Sequence, residues 1–299
     1  MLDRTRRNYK IAIMTLADFS ALSKAEAGKQ LVTCCGSSKW VEKMLQEFPF
    51  ASERRLLQTA QDIWYGECNE SDWQEAFTHH PKIGETNLAE KFAATQHLAG
   101  KEQEGVNDAS AEMIKELAKA NREYEAKTGF IFIVCASGRS AGEMLRLLKD
   151  RLRNSLREEL QVAMGEQYKI TMLRLQKLLE ITDTRLPASQ LTTHVLDTSA
   201  GKPGQDITIR LQRSYNGIWE TFAQGVTNAD GRIGDLLPPG RTIAAANYKM
   251  IFETGDYFIA NKIKGFYPEV EIQFTVFDGK HYHVPLLINP FGYSTYRGS

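Results

Sequence analysis

From Leu16 to about Ile181, apolar residues recur at intervals of three and four, the spacing that gives a helix one buried face. Trp40, Met44, Leu45 and Phe48 form one such stripe, and Met113, Ile114, Leu117, Ala120 and Tyr124 another. Ser38 and Ser140 each precede a run. Ser140 stands before Ala141-Gly142-Glu143, predicting an N-cap with an acid in the first turn, where the helix dipole favours it. The stretch from Glu158 to Glu180, with Leu160, Met164, Tyr168, Ile170, Leu173 and Leu178, predicts a long amphipathic helix. After Leu186-Pro187 the period becomes two. Ile207, Ile209 and Leu211 alternate with Thr208, Arg210 and Gln212, and Ile272, Phe274 and Val276 with Gln273 and Thr275. Turn signals at Asn228-Ala229-Asp230-Gly231, Pro238-Pro239-Gly240 and Asp278-Gly279 separate the strands.

That switch of period divides the chain. The expected order is an extension over 1–15, an all-helical domain over 16–181, a polar linker over 182–190 and a small β-sandwich over 191–299. A length of 299 residues fits two domains, each long enough for its own core. Lys+Arg and Asp+Glu both total 37, so bulk charge gives no pull toward nucleic acid or membrane. No run approaches membrane-spanning length. Cys34, Cys35, Cys68 and Cys135 lack metal-type Cys-x-x-Cys spacing and read as core thiols of a reducing compartment. The apolar stretch Ile11 to Met14 is too short for a signal sequence, and Arg-Gly-Ser is not the Ser-Lys-Leu peroxisomal address. The expected location is the cytoplasm.

Four strings in the second half carry chemistry. They are Leu191-Thr192-Thr193-His194-Val195-Leu196-Asp197, Thr227-Asn228-Ala229-Asp230-Gly231-Arg232, His281-Tyr282-His283-Val284-Pro285-Leu286-Leu287, and Tyr293-Ser294-Thr295-Tyr296-Arg297-Gly298-Ser299. Termini ordinarily fray. This one follows an apolar run with two tyrosines and an arginine, so it is expected to tuck into a site. On a strand, His281 and His283 share a face and could ligate a metal, though no third ligand is evident. Taken alone, Arg232 could equally be a turn residue after Asp230-Gly231.

In this order the strings resemble the transthyretin-like 5-hydroxyisourate hydrolases, over about residues 190–299. The resemblance implies metal-free chemistry at His194, Arg232, His283 and Ser299. Opening a lactam-like ring needs a base to activate water and donors for the developing oxyanion. A neutral imidazole suits the base, and Arg232 supplies a permanent charge for a urate-like anion. Ser299 would position water or substrate through its hydroxyl or terminal carboxylate, and Tyr296 would close the pocket. His281 takes a structural or supporting part.

The first half carries Thr78-His79-His80-Pro81-Lys82-Ile83-Gly84, Gly100-Lys101-Glu102-Gln103-Glu104-Gly105, the run Thr128 to Arg139, and Glu166-Gln167-Tyr168-Lys169-Ile170 with Arg174-Leu175. These resemble the helical decarboxylases of 2-oxo-4-hydroxy-4-carboxy-5-ureidoimidazoline, which make (S)-allantoin, over about residues 16–180. The resemblance implies His80, Glu102 and Arg174 as catalytic residues, with Pro81 and Gln103 at the substrate. It departs at Ala99, where that family often has serine. Thr95 is the nearest hydroxyl that local spacing offers in its place. Arginine can orient a carboxylate with two parallel donors, and a His and Glu pair can hold the substrate hydroxyl and move a proton. Because the substrate's own ring takes up the electrons, no cofactor is implied. Ile133, Cys135 and Ala136 either offer backbone groups to the ring's amide edges or are buried core.

The combined expectation is an all-α decarboxylase domain followed by a transthyretin-like β-sandwich hydrolase, with the domain order of the plant allantoin synthases. Resemblance further implies hydrolase domains in tetramers and decarboxylase domains in dimers, acting on small molecules with no nucleic-acid or membrane partner. Two other functions stand against it. A hormone-type carrier shares the sandwich but lacks the set His194, Arg232, His283 and the terminal string. A metal-dependent cyclic amide hydrolase would use His281 and His283. Fold alone does not choose among these.

Overall fold

The structure, a computed structural model, describes residues 13–80, 111–136, 139–181, 189–238 and 240–298. It divides into two compact units, one of Met1–Met144 with Gln167–Thr184 and one of Leu145–Glu166 with Arg185–Ser299. The helices of the first half are α1 (Leu16–Ser20), α2 (Lys24–Cys34), α3 (Ser38–Glu47), α4 (Glu53–Gly66), α5 (Glu70–Phe77), α6 (Ala111–Thr128), α7 (Ala141–Arg151) and α8 (Leu156–Leu178).

Helix starts in the first unit are set by side chains that satisfy orphan backbone donors. Thr15 with Asp18, Ser23 with Glu26 and Asn69 with Asp72 form reciprocal capping boxes. Ser140 does the same with Glu143. For α3 the cap lies one residue earlier than the sequence suggests. Ser37 accepts from the Trp40 amide at 3.3 Å, while the Ser38 hydroxyl and amide both donate to Glu75. Trp40, Met44, Leu56, Trp64, Tyr124, Tyr168 and Leu175 are fully buried. Edge-on ring contacts join Tyr124 to Phe132 at 5.3 Å and Tyr65 to Tyr168 at 5.2 Å.

Helix α8 corrects the amphipathic expectation. Between Leu160 and Leu175 it is buried on nearly every side, polar Glu166, Gln167, Lys169, Thr171 and Arg174 included, whereas Leu173 is exposed. A helix buried all round shows no apolar stripe, because neighbours cover its polar positions too.

In the second unit, β1 (Leu191–Asp197) is central to a six-stranded sheet ordered β10-β9-β1-β2, with β5 and β8 also paired to β1. These partners are β2 (Lys202–Pro203), β5 (Arg232–Ile233), β8 (Tyr282–His283), β9 (Leu286–Asn289) and β10 (Gly292–Thr295). A four-stranded antiparallel sheet follows the order β4-β3-β6-β7, from β3 (Thr208–Tyr215), β4 (Ile218–Val226), β6 (Ala246–Phe252) and β7 (Val270–Val276). A short helix α9 (Thr254–Ala260) connects β6 to β7. Apolar residues of every strand but β2 and β10 meet in one core that includes Leu191, Val195, Ile209, Leu211, Met250, Phe252, Val276 and Leu286.

On β3 and β4 the alternation fails to predict exposure. Thr208, Gln212, Thr221 and Gln224 are buried as well. Within this unit Gln212 donates to the Thr221 hydroxyl at 3.2 Å, and the segment Leu145–Glu166 supplies partners for the other three. Thr208 donates to Asp150 at 2.6 Å, Asn154 to Gln224 at 3.1 Å, and the Thr221 amide to Glu158 at 2.9 Å. The segment is braced by the buried Arg151–Glu159 ion pair, with Asn154 also donating to Glu159 at 2.8 Å.

Removing one member of such a pair leaves a buried charge poorly compensated. Glu159→Gln is therefore expected to destabilise the protein by about 3–5 kcal/mol. The paired change Arg151→Met with Glu159→Leu should lose much less. Urea unfolding followed by circular dichroism measures both, and an unchanged Glu159→Gln midpoint would contradict the bracing role.

Candidate active sites

The outer face of β1 builds the first site. Burial alternates along it, with Leu191, Thr193, Val195 and Asp197 inward and Thr192 and His194 on the half-open side. Pairing then brings the other residues alongside. His194 lies opposite Arg232 in the antiparallel β1–β5 pair, and Thr192 beside His283 in the parallel β1–β8 pair. The turn before β5 is fixed by Asn228, whose side-chain oxygen accepts from the Asp230 and Arg232 amides at 3.0 and 2.9 Å. Inward-facing Tyr282 anchors β8. Its hydroxyl accepts from the Phe277 and Asp278 amides, leaving neighbouring His283 to face outward. Asp197 belongs to the fold, accepting from Ser199, Ala200 and the Tyr257 hydroxyl.

The chain end closes onto this face. Gly298 bridges to His283, its amide donating to the His283 carbonyl at 2.9 Å, and the Arg297 guanidinium lies 5.1 Å from the Tyr282 ring centre. A Cβ at Gly298 would collide with the His283 ring, so only glycine lets the tail pass there. Tyr296 is 60% exposed. Ser299 lies outside the described residues.

Charge tunes both imidazoles in one direction. Burial and then the Arg232 cation hold His194 below the ordinary 6.5, with the Asp230 carbonyl partly opposing. His283 is lowered by burial first, then by Arg232, His281 and His194. Both rings are thus neutral at pH 7, able to take a proton beside a permanent cation. Sequence reasoning passed over Thr192, whose hydroxyl lies 2.9 Å from both His281 Nε2 and His283 Nδ1. Its signal was the strand period itself, which puts it on the His194 face. Among the described residues, no three or more His, Cys, Asp or Glu side chains converge as a metal site.

The second site lies in the helical unit. His80 ends the turn that follows α5, its amide donating to the Phe77 carbonyl at 3.2 Å, and Phe77 packs on Phe130 at 5.3 Å. Gly36 has no room for a Cβ because the His79 ring lies against it. Arg174 on α8 is 4% exposed, with Nη1 3.5 Å from the Thr33 carbonyl. Burial and then the Arg174 charge hold His80 well below the ordinary imidazole value, while a side-chain hydrogen bond with Gln167 opposes them. Gln167 is fully buried and donates to Thr171 at 3.3 Å. It is a polar residue of this site that helical periodicity does not pick out. Burial pushes the adjoining Cys35 thiol up to about 12, so it stays protonated. Ile133, Cys135 and Ala136 are buried in an irregular run, and Arg139 Nε donates to the Cys135 carbonyl at 3.1 Å. Pro81, Glu102 and Gln103 lie outside the described residues, as do Thr95 and Ala99.

Comparison with known proteins separates the same two stretches. Residues 20–176 match the OHCU decarboxylase family model, and residues 191–298 match the HIUase/Transthyretin family model. The chain is 34% identical to the uric acid degradation bifunctional protein TTL of Arabidopsis thaliana, over 89% of this chain and 96% of that protein. It is 41% identical to the 5-hydroxyisourate hydrolase of Salmonella dublin, over 36% of this chain and 80% of that one. Identity to the 5-hydroxyisourate hydrolase of Mesorhizobium japonicum is 44%, over 39% of this chain and 97% of that one.

Arg232 is the cation shared by both lowered histidines of the first site. Arg232→Gln should raise the pKa values of His194 and His283 together toward 6.5. Imidazole resonances followed through a pH titration by NMR measure this. A shift in one ring only would contradict the shared cation.

Proposed function

The chain belongs to the OHCU decarboxylase family through its first half and to the HIUase/Transthyretin family through its second, and from this we propose two consecutive reactions of urate breakdown. The enzyme hydrolyses 5-hydroxyisourate to 2-oxo-4-hydroxy-4-carboxy-5-ureidoimidazoline and decarboxylates that product to (S)-allantoin. What carries this reading is the relative matched along both halves at once, which is a bifunctional protein of uric acid degradation. The hydrolase domain takes residues 191–299 and the decarboxylase domain residues 16–181.

In hydrolysis, His283 takes a proton from water as hydroxide adds to the ring carbonyl. The C–N bond then breaks, and the imidazolium returns its proton to the departing nitrogen. Arg232 holds the urate-like anion and His194 lies beside it. Ser299 positions water or substrate and Tyr296 borders the entrance. The low proton affinity of both histidines beside Arg232 supports these roles. In decarboxylation, Arg174 orients the carboxylate. The electrons of the breaking C–C bond pass into the ring as carbon dioxide leaves, and a proton is delivered to one face. His80 and Glu102 handle that proton and the substrate hydroxyl, with Pro81, Gln103 and the backbone of Ile133, Cys135 and Ala136 lining the ring. A neutral His80 next to the buried Arg174 charge supports this part.

The active form is an oligomer, dimeric through its decarboxylase domains and tetrameric through its hydrolase domains, in the cytoplasm. Two features of the sandwich support association. Strands β7 and β10 end their sheets, and Phe266, Phe291 and Tyr293 stand exposed.

Freshly made 5-hydroxyisourate, followed by absorbance and circular dichroism, tests both steps. His283→Ala should slow hydrolysis on the order of 100-fold or more and leave decarboxylation intact. Unchanged hydrolysis, or loss of both activities in a folded variant, would overturn the assignment.

His80→Ala and Arg174→Ala should do the reverse. 5-Hydroxyisourate disappears normally, but the product decays to racemic allantoin without a dichroic signal. Arg174→Lys should not rescue, because a point charge lacks the planar pair of donors. Formation of (S)-allantoin at the wild-type rate by either alanine variant would remove the decarboxylase from the first half.

A further inference from the structure

We propose that Thr192 and His281 form a hydrogen-bonded chain that holds His283 with its proton on Nδ1 and its Nε2 bare, making them positioning residues for the hydrolytic base. The proposal rests on the hydrolase reading above, but its geometry is independent of substrate. One hydroxyl oxygen, Thr192 Oγ1, lies 2.9 Å from His283 Nδ1 and 2.9 Å from His281 Nε2. A hydroxyl has a single proton, so it can donate to only one of these nitrogens and must accept from the other. Two arrangements satisfy both bonds. In one, His283 Nδ1–H donates to Thr192 and Thr192 donates to His281 Nε2. In the other, every proton is reversed.

The hydrolytic role selects the first. Nδ1 is turned to Thr192, so the lone pair left for water is on Nε2, and in a neutral ring Nε2 is bare only when the hydrogen sits on Nδ1. Parallel pairing of Thr192 with His283 keeps the contact in register, and the Val284 amide donates to the Thr192 carbonyl at 3.0 Å. Thr192 is therefore fixed by the sheet on both sides of His283. His281 is exposed, so its tautomer can adjust through solvent and its Nε2 can stay an acceptor.

The consequence for catalysis is direct. With Nδ1 protonated, Nε2 of His283 is the free lone pair that takes the proton of water. The imidazolium then formed keeps its Nδ1–H on Thr192, which turns no donor against it because its own proton points to His281. Nε2 then returns its proton to the departing ring nitrogen, and the chain ends the cycle as it began. Without the hydroxyl, the ring is free to populate the tautomer whose Nε2 carries hydrogen and cannot act as a base.

The test uses the full-length protein labelled with 15N in its histidines. At pH 7.5, His283 should show protonated Nδ1 and bare Nε2, and Thr192→Val should give a mixture of tautomers. The same variant should lose on the order of 10- to 100-fold in hydrolytic kcat with KM within about twofold. Thr192→Ser should recover most of the loss, and His281→Leu should lose roughly 10-fold, since it removes only the last acceptor. A far-ultraviolet circular dichroism spectrum and urea unfolding of the sandwich matching the wild type show that each variant is folded. His283 protonated on Nε2 in the wild type, or Thr192→Val with wild-type kcat, overturns the proposal. A wild-type protein inert toward 5-hydroxyisourate overturns the hydrolase reading instead, and the tautomer measurement still decides the hydrogen-bond chain.

Discussion

Strand β1 is the constraint on which the sandwich and its site both depend. It pairs with four strands, β2, β5, β8 and β9, two antiparallel and two parallel. Each pairing fixes which residue stands beside which. Because side chains alternate, Leu191, Thr193 and Val195 commit to the core while Thr192 and His194 must face out. A slip of one residue would bury His194 and expose Leu191, losing both the core and the site. The apolar residues therefore hold the outward face with His194 in place without touching it. Thr193 adds a specific bond, donating to the Val284 carbonyl at 2.7 Å from the inner side.

Much of this was legible in the sequence, since period two is a local property. His194, Arg232 and His283 were identified from strings far apart in the chain, and strand register brings them together. What the period could not reveal was the second layer of burial. Thr208 and Gln212 occupy positions that read as solvent-facing, yet both are buried along with Thr221 and Gln224, and Leu145–Glu166 supplies partners to Thr208, Thr221 and Gln224. Only a contact between residues some sixty apart makes a buried threonine tolerable, and no local pattern encodes it. Helix α8 failed for the same reason in reverse. Its polar residues suggested a wet face, whereas Gln167, Thr171 and Arg174 are interior. Thr192 was overlooked because a hydroxyl has no motif of its own. Its meaning comes from the two imidazoles that pairing puts beside it.

The two sites share one electrostatic device, although they lie on unrelated folds. Each places an arginine where its field, added to burial, discourages a proton on histidine, Arg232 for His194 and His283, and Arg174 for His80. Burial alone would lower a histidine, but it would also leave an anionic substrate with nothing to bind. An arginine does both, because its charge is permanent across the working pH range. Binding of the anion then changes the balance. With the roles proposed above, the substrate's negative charge would offset the arginine's field, so the imidazole would become a better base once the site is filled than when it is empty. In such a site proton affinity rises in the complex, where it serves the reaction, and the free enzyme is spared an idle protonated base. Geometry must then supply the remaining requirement, that the lone pair point at the reacting atom. In the sandwich that task falls to the hydroxyl between His281 and His283, while the glycine at position 298 leaves the ring its space.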